Sequence, residues 1–110
     1  MSELQLSTDA SDRLHMAIAT KIEADPSLLE IPLANIDRWL AQDHSAAHRL
    51  EHWRALILEA RASAGGMRAL LWILRDPGED ARHFRAFAPF AGVLTTRERR
   101  EVRARCAYAH

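Results

Sequence analysis

The nine residues Met67-Arg68-Ala69-Leu70-Leu71-Trp72-Ile73-Leu74-Arg75 decide how this chain folds. Ala, Leu, Met and Arg are strong helix formers, and the run has no alternating β-branched pattern. Gly65-Gly66 just upstream predicts a chain break, and Asp76-Pro77-Gly78 downstream predicts another. The stretch therefore reads as a short helix that is apolar nearly all round, either central to a core or covered by a partner. Its uninterrupted apolar part, Ala69 to Leu74, is far shorter than the roughly 20 residues needed to cross a bilayer. No membrane association is expected.

Helical spacing continues on both sides. Upstream, Ala46, Leu50, Trp53, Ile57 and Ala60 share one face of a helix over about 45–62, with Ser45 as its N-cap. Downstream, Asp76-Pro77-Gly78-Glu79 reads as a helix start with an Asp cap, and that helix presents Ala81, Phe84, Phe87 and Ala88. Towards the N-terminus, Leu14, Ala17, Ile18 and Ile22 mark a helix from Thr8 or Asp9 to Ala24, closed by Asp25-Pro26. Leu29, Leu33, Ile36 and Leu40 form the next stripe, with Trp39 beside it. Pro32 falls inside that stripe, and the reading favours a short turn at 26–30 followed by a helix from Pro32. Towards the C-terminus, Pro89 to Leu94 forms an apolar turn, Thr95 and Glu98 a capping box, and residues 96–107 a polar helix with Val102 and Cys106 on its apolar stripe.

These elements predict an all-α fold: one domain over 9–110, a bundle of five to six short helices, with residues 1–8 flexible. The totals agree. A chain of 110 residues supports one core, and a hydrophobic fraction of 48% is too high for intrinsic disorder. The N-terminus, with Glu3 and Asp9, lacks the basic and apolar regions of a signal peptide. A single cysteine excludes an internal disulfide framework and suits a reducing cytoplasm.

Net charge is zero but unevenly placed. Residues 1–55 hold nine acids and five bases, whereas residues 56–110 hold six acids and ten bases. The C-terminal excess gathers in Arg97, Arg99, Arg100, Arg103 and Arg105, and this dipolar pattern permits an acidic partner without demanding one.

Catalytic signals are weak. His44, His48 and His52 stand at i, i+4 and i+8, a spacing that can align imidazoles for zinc, but they lie opposite Leu50, Trp53 and Ile57 and read as a solvated face. Asp9, Asp12, Glu79 and Asp80 sit at helix starts, where negative charge complements the dipole. Cys106 lies on an apolar stripe and reads as a buried thiol. There is no nucleophile elbow, phosphate-cradling glycine loop or paired-cysteine motif, so neither an enzyme nor a cofactor is expected. The Arg face of the last helix is the charged feature that suits a phosphate backbone or an acidic protein surface. Trp72, on a helix without a polar face, is the aromatic best placed for cover by a partner.

One segment carries a resemblance. Pro89-Phe90-Ala91-Gly92-Val93-Leu94-Thr95, followed by Arg97-Glu98-Arg99, is similar to a Ser-Pro-Phe-Ala-Gly-Val-Leu-Thr-Pro-Glu-Glu-Arg-Trp signature near the C-terminus of small bacterial proteins encoded beside toxin genes. Leu14 to Ala19, Asp25-Pro26, Ala34 to Leu40 and Trp53 to Ile57 also resemble that family, so the likeness spans about residues 10–103. Ala88 stands in place of the signature's Ser, Thr96 in place of its second Pro, and Arg100 in place of its Trp. Some members carry a helix–turn–helix domain in front, for which no counterpart is expected here. The resemblance implies an antitoxin-like protein that neutralises a cognate protein toxin, with a nucleotidyltransferase-like toxin as one such partner. Trp72, Phe90, Leu94, Arg97, Arg99, Arg100 and Arg103 are the expected contact residues. The alternative is a nucleic-acid-binding regulator working through the Arg helix, and a homodimer is compatible with either.

Overall fold

The computed structural model describes the backbone of residues 3–42 and 45–108, and side chains within 10–42 and 45–106. Helix α1 (Glu3–Ala24) begins ahead of the expected start at Thr8 or Asp9. No Gly or Pro lies upstream of Asp25, so nothing in the sequence ends the helix at its N-terminal side. Asp25 then accepts from the Ser27 amide at 3.2 Å and caps a 3-10 turn over Pro26–Leu29. Helix α2 (Glu30–Ala41) follows directly. Pro32 thus sits in the first turn of α2, where its missing N–H removes no intrahelical bond. The two-piece reading holds, with the helix starting two residues earlier than expected.

Helix α3 (Ala47–Ala62) has Ala46 at its N-cap without a side-chain bond, so the expected Ser45 cap is corrected. A single residue, Ser63, separates α3 from α4 (Ala64–Arg75). The Ser63 hydroxyl accepts from the Gly66 amide at 2.9 Å and caps α4. The break therefore falls at Ser63, and both glycines belong to the first turn of α4. A Cβ on Gly66 would overlap the Glu59 carbonyl, so this glycine is what lets α4 press against the end of α3.

Helix α5 (Glu79–Arg85) is short, and its N-cap is Gly78 rather than Asp76. Asp76 instead ends α4 and accepts from the Gly78 amide at 2.8 Å. Helix α6 (Thr96–Tyr108) begins with the expected capping box. Thr95 Oγ1 accepts from the Glu98 amide at 3.1 Å, while Glu98 Oε1 accepts from the Thr95 amide at 2.8 Å.

The described residues form six α-helices and no strand, consistent with the expected all-α bundle. Helices α3 and α4 pack as a hairpin, α2 lies on α3, and α1 packs against α4 and against α6. The core is one cluster: Ile18, Ala19 and Ile22 of α1 meet Ile36 of α2, Leu50, Trp53 and Ile57 of α3, Leu70, Leu71 and Leu74 of α4, and Phe90, Val93 and Leu94 of the turn before α6. Trp53 is fully buried, stacked on Phe84 at 4.3 Å between ring centroids and edge-on to Phe90 at 5.3 Å. No helix is long and apolar enough to cross a membrane among the described residues.

Candidate functional site

The apolar turn that carries the resemblance is clamped from three helices. Asn35 of α2 is buried and donates both amide hydrogens, to the Pro89 carbonyl at 2.9 Å and the Ala91 carbonyl at 2.8 Å. Its own carbonyl accepts from Arg38 at 2.5 Å. Lys21 of α1 donates to the Val93 carbonyl at 2.8 Å and to Glu98 at 2.7 Å. Lys21, seconded by the Thr95 amide, pulls the Glu98 carboxyl down to a pKa of about 2. Gly92 has φ +94°, the left-handed region that other residues rarely enter.

That clamp buries most of two expected contact residues. Phe90 is 3% exposed and Leu94 6%, and what remains of them at the surface lines a shallow groove with Leu14, Ile18 and Arg99. The turn is conspicuous in the sequence because it closes the end of the bundle.

The charged expectation fares differently. Arg97, Arg99, Arg100 and Arg103 are all exposed along α6. Arg97 reaches Glu101 at 3.4 Å across one helical turn, whereas Arg99, Arg100 and Arg103 meet no carboxylate among the described residues. Trp72 is 70% exposed. The neighbouring Leu70, Leu71 and Leu74 are buried, so α4 is central to the core on one side and open on the other. Arg68 and Arg75 lie one turn to either side of Trp72, and Arg75 reaches across to Glu23 of α1 at 2.9 Å.

A buried arginine is the feature that sequence reasoning missed. Arg85 is 4% exposed and donates to the Ile73 and Asp76 carbonyls, both at 2.7 Å, and to Asp12 at 2.9 Å. It satisfies the open carbonyls at the end of α4 and ties them to α1 through Asp12, which also binds Arg82 at 2.8 Å. The sequence signal was faint: an Arg directly after Phe84 on a helix whose partner acid lies 73 residues away. On the same stretch of α1, burial lowers the His15 pKa, while its Nδ1 donates to the Ser11 carbonyl at 2.8 Å.

Of the histidine row, His44 lies outside the described residues. His48 and His52 are exposed, and His52 tilts against Phe84 at 4.8 Å. Among the described residues no three His, Cys, Asp or Glu side chains gather as metal ligands. Cys106 is buried at 8% exposure beside Val102, also buried.

Two shallow grooves flank the outer ridge of α1. One, about 230 Å³, runs between α1 and α6, with Ala17 and Val102 on its floor and Arg105 at its edge. The other, about 330 Å³, lies between α1 and the end of α4, against Leu74 and Pro77. Arg13 and Met16 line both, so the side chain of Met16, 50% exposed, is the divide between them.

Comparison of the chain with protein-family models, with curated proteins and with solved structures gives no match.

Proposed function

We propose that this protein is an antitoxin-like binding protein that neutralises a cognate protein toxin by covering its surface, a nucleotidyltransferase-type toxin being the class the resemblance implies. The observation that carries the reading is the exposed indole of Trp72. Trp is among the residues most often found at the energetic centre of protein interfaces, and a free helix gains nothing from holding it in water. Arg68 and Arg75 flank it with the guanidinium groups that such interfaces favour at their edges. Arg97, Arg99, Arg100 and Arg103 of α6 extend the cationic surface a partner can meet.

The test is a pulldown of the untagged protein from its own host, followed by mass spectrometry, beside the Trp72→Ala variant. The expected result is one stoichiometric partner encoded next to this gene, held at least tenfold more weakly by the variant, in line with the roughly 2 kcal/mol that separates a hot-spot residue from its neighbours. A stable protein that brings down no partner overturns the reading.

Arg99, Arg100 and Arg103, exposed and without carboxylates among the described residues, support a second reading as a nucleic-acid-binding regulator. Its signature is a DNA mobility shift that weakens steeply with salt and with Arg→Gln changes at these positions. No shift at low salt removes it.

A further inference from the structure

We infer that the outer ridge of α1 is a docking track for an acidic amphipathic helix of a partner protein. The inference rests on the protein-binding reading and adds a second contact surface, which Trp72 does not line, with its chemistry. The ridge is Arg13, Met16 and Thr20, spaced i, i+3 and i+7, with a groove on each side. It spans about 10 Å, roughly two helical turns. A helix laid along it sets apolar residues of one ridge into both grooves, the geometry by which helices pack on helices. Ala17 and Val102 supply the apolar floor on the α6 side, and Leu74 with Pro77 on the α4 side. Met16 between them is unbranched and polarisable, the side chain that adapts best to an incoming apolar surface.

Charge selects the occupant. Among the described residues the carboxylates at this surface are already engaged: Asp12 by Arg82 and Arg85, Glu23 by Arg75, and Asp76 by the Gly78 amide. Among the described residues Arg13 has no carboxylate partner, and Arg105 donates to the Glu101 carbonyl at 3.4 Å. The free charge on the track is therefore cationic, from Arg13 on the ridge and Arg105 at the edge of the α6-side groove. A second copy of this chain would set that cationic surface against itself with no free carboxylate among the described residues to answer it, so self-association is disfavoured here. Nucleic acid is disfavoured too, because the floor is apolar and the two free arginines fall short of the several phosphate contacts such binding needs. An acidic helix with an apolar seam answers both the floor and the free arginines.

The experiment selects helical peptides from a displayed library on the full-length protein, then measures the enriched peptides against four forms. These are the wild type, Met16→Glu, the double variant Arg13→Glu with Arg105→Glu, and Trp72→Ala. All the altered residues are exposed, and thermal melting checks that each variant keeps its fold. The expected peptides carry Glu or Asp beside apolar residues at i, i+3 or i+4. They lose at least tenfold in affinity on the Met16 and Arg13/Arg105 variants and keep it on Trp72→Ala. Enriched peptides that are not acidic, that depend on Trp72 alone, or that never emerge overturn the inference. Dependence on Trp72 alone leaves the protein-binding reading standing, while the host pulldown decides that reading separately. Concentration-dependent dimerisation abolished by Met16→Glu assigns the track to a second copy and likewise overturns it.

Discussion

Asn35 shows how one side chain can hold a turn that has no secondary structure of its own. A chain reversal buried at the end of a bundle leaves carbonyl groups without helical partners, and buried carbonyls must be satisfied. The two amide hydrogens of Asn35 reach Pro89 and Ala91, on either side of the ring of Phe90 in sequence. Asn35→Ala removes both donors and strands the Arg38 contact; we expect a loss of about 2–3 kcal/mol in urea unfolding, at the upper end for a buried polar pair. His15 gives a residue-scale pH response. Its folded pKa lies below the ordinary 6.5, so the unfolded chain takes up a proton before the folded one does. Stability from this residue is full above pH 6.5 and declines as pH falls below it. Melting temperatures at pH 7.5 and pH 5 are expected to differ less in His15→Gln than in the wild type, and an unchanged difference would show that His15 does not govern that range.

At the scale of the element, helix ends carry most of the information and most of the surprises. The Thr95–Glu98 capping box formed as the spacing foretells, because both halves of the motif are local. Thr95→Ala should cost about 1 kcal/mol. Glu98 adds a pH signature, since its folded pKa of about 2 lies below the ordinary 4.5. The stability it contributes is present above pH 4.5 and is lost as pH falls through 2, so Glu98→Gln should flatten the melting curve across that window. The apolar stripes of α1, α3 and α4 were legible for the same reason, periodicity being a local property. What sequence spacing could not give was a contact across the fold. Asp76 acts one structural step away from the role its local motif suggests, ending α4 instead of capping α5, and the glycine pair departs in the same way. Both glycines look like a break, yet Gly66 is required by the backbone of Glu59 and Gly65 is required by nothing close. Gly65→Ala is therefore expected to stabilise by about 0.5–1 kcal/mol through helix propensity, while Gly66→Ala destabilises by 2 kcal/mol or more through overlap with α3. Guanidinium melts of the two single variants should move in opposite directions, and parallel shifts would contradict the close approach of α3 and α4.

For the molecule as a whole, part of the uneven charge of the sequence is answered within the fold. Asp12 pairs with Arg82 and Arg85, Glu23 with Arg75, Glu30 with Arg61, and Asp37 with Arg54. Acids met in order along the chain find arginines met in reverse order, so the pairs are nested, and those of Asp12, Glu23 and Glu30 bind the acidic half of the chain to the basic half. This accounts for part of the acidic bias of residues 1–55 and for part of the arginine excess beyond it, and among the described residues it leaves Arg68, Arg99, Arg100, Arg103 and Arg105 without a carboxylate. A partner for α6 is therefore a smaller demand than the raw count of charges implies. The pairs are also unequal. Glu23, Glu30 and Asp37 are more than half exposed in their side chains, whereas Arg85 is 3% exposed and Asp12 17%. Exposed pairs contribute roughly 0–1 kcal/mol and are screened by salt, but removing one member of a buried pair strands the other charge. Glu23→Gln, Glu30→Gln and Asp37→Asn should each lower stability by less than about 1 kcal/mol, and by less still in 1 M salt. Asp12→Asn should cost about 3 kcal/mol with little dependence on salt, because Arg85 keeps its two carbonyls but loses its carboxylate inside the fold. Denaturant unfolding at low and high salt separates the cases: equal losses for all four substitutions would mean that the pairs share one solvated role, and that the bundle is closed by its apolar core alone.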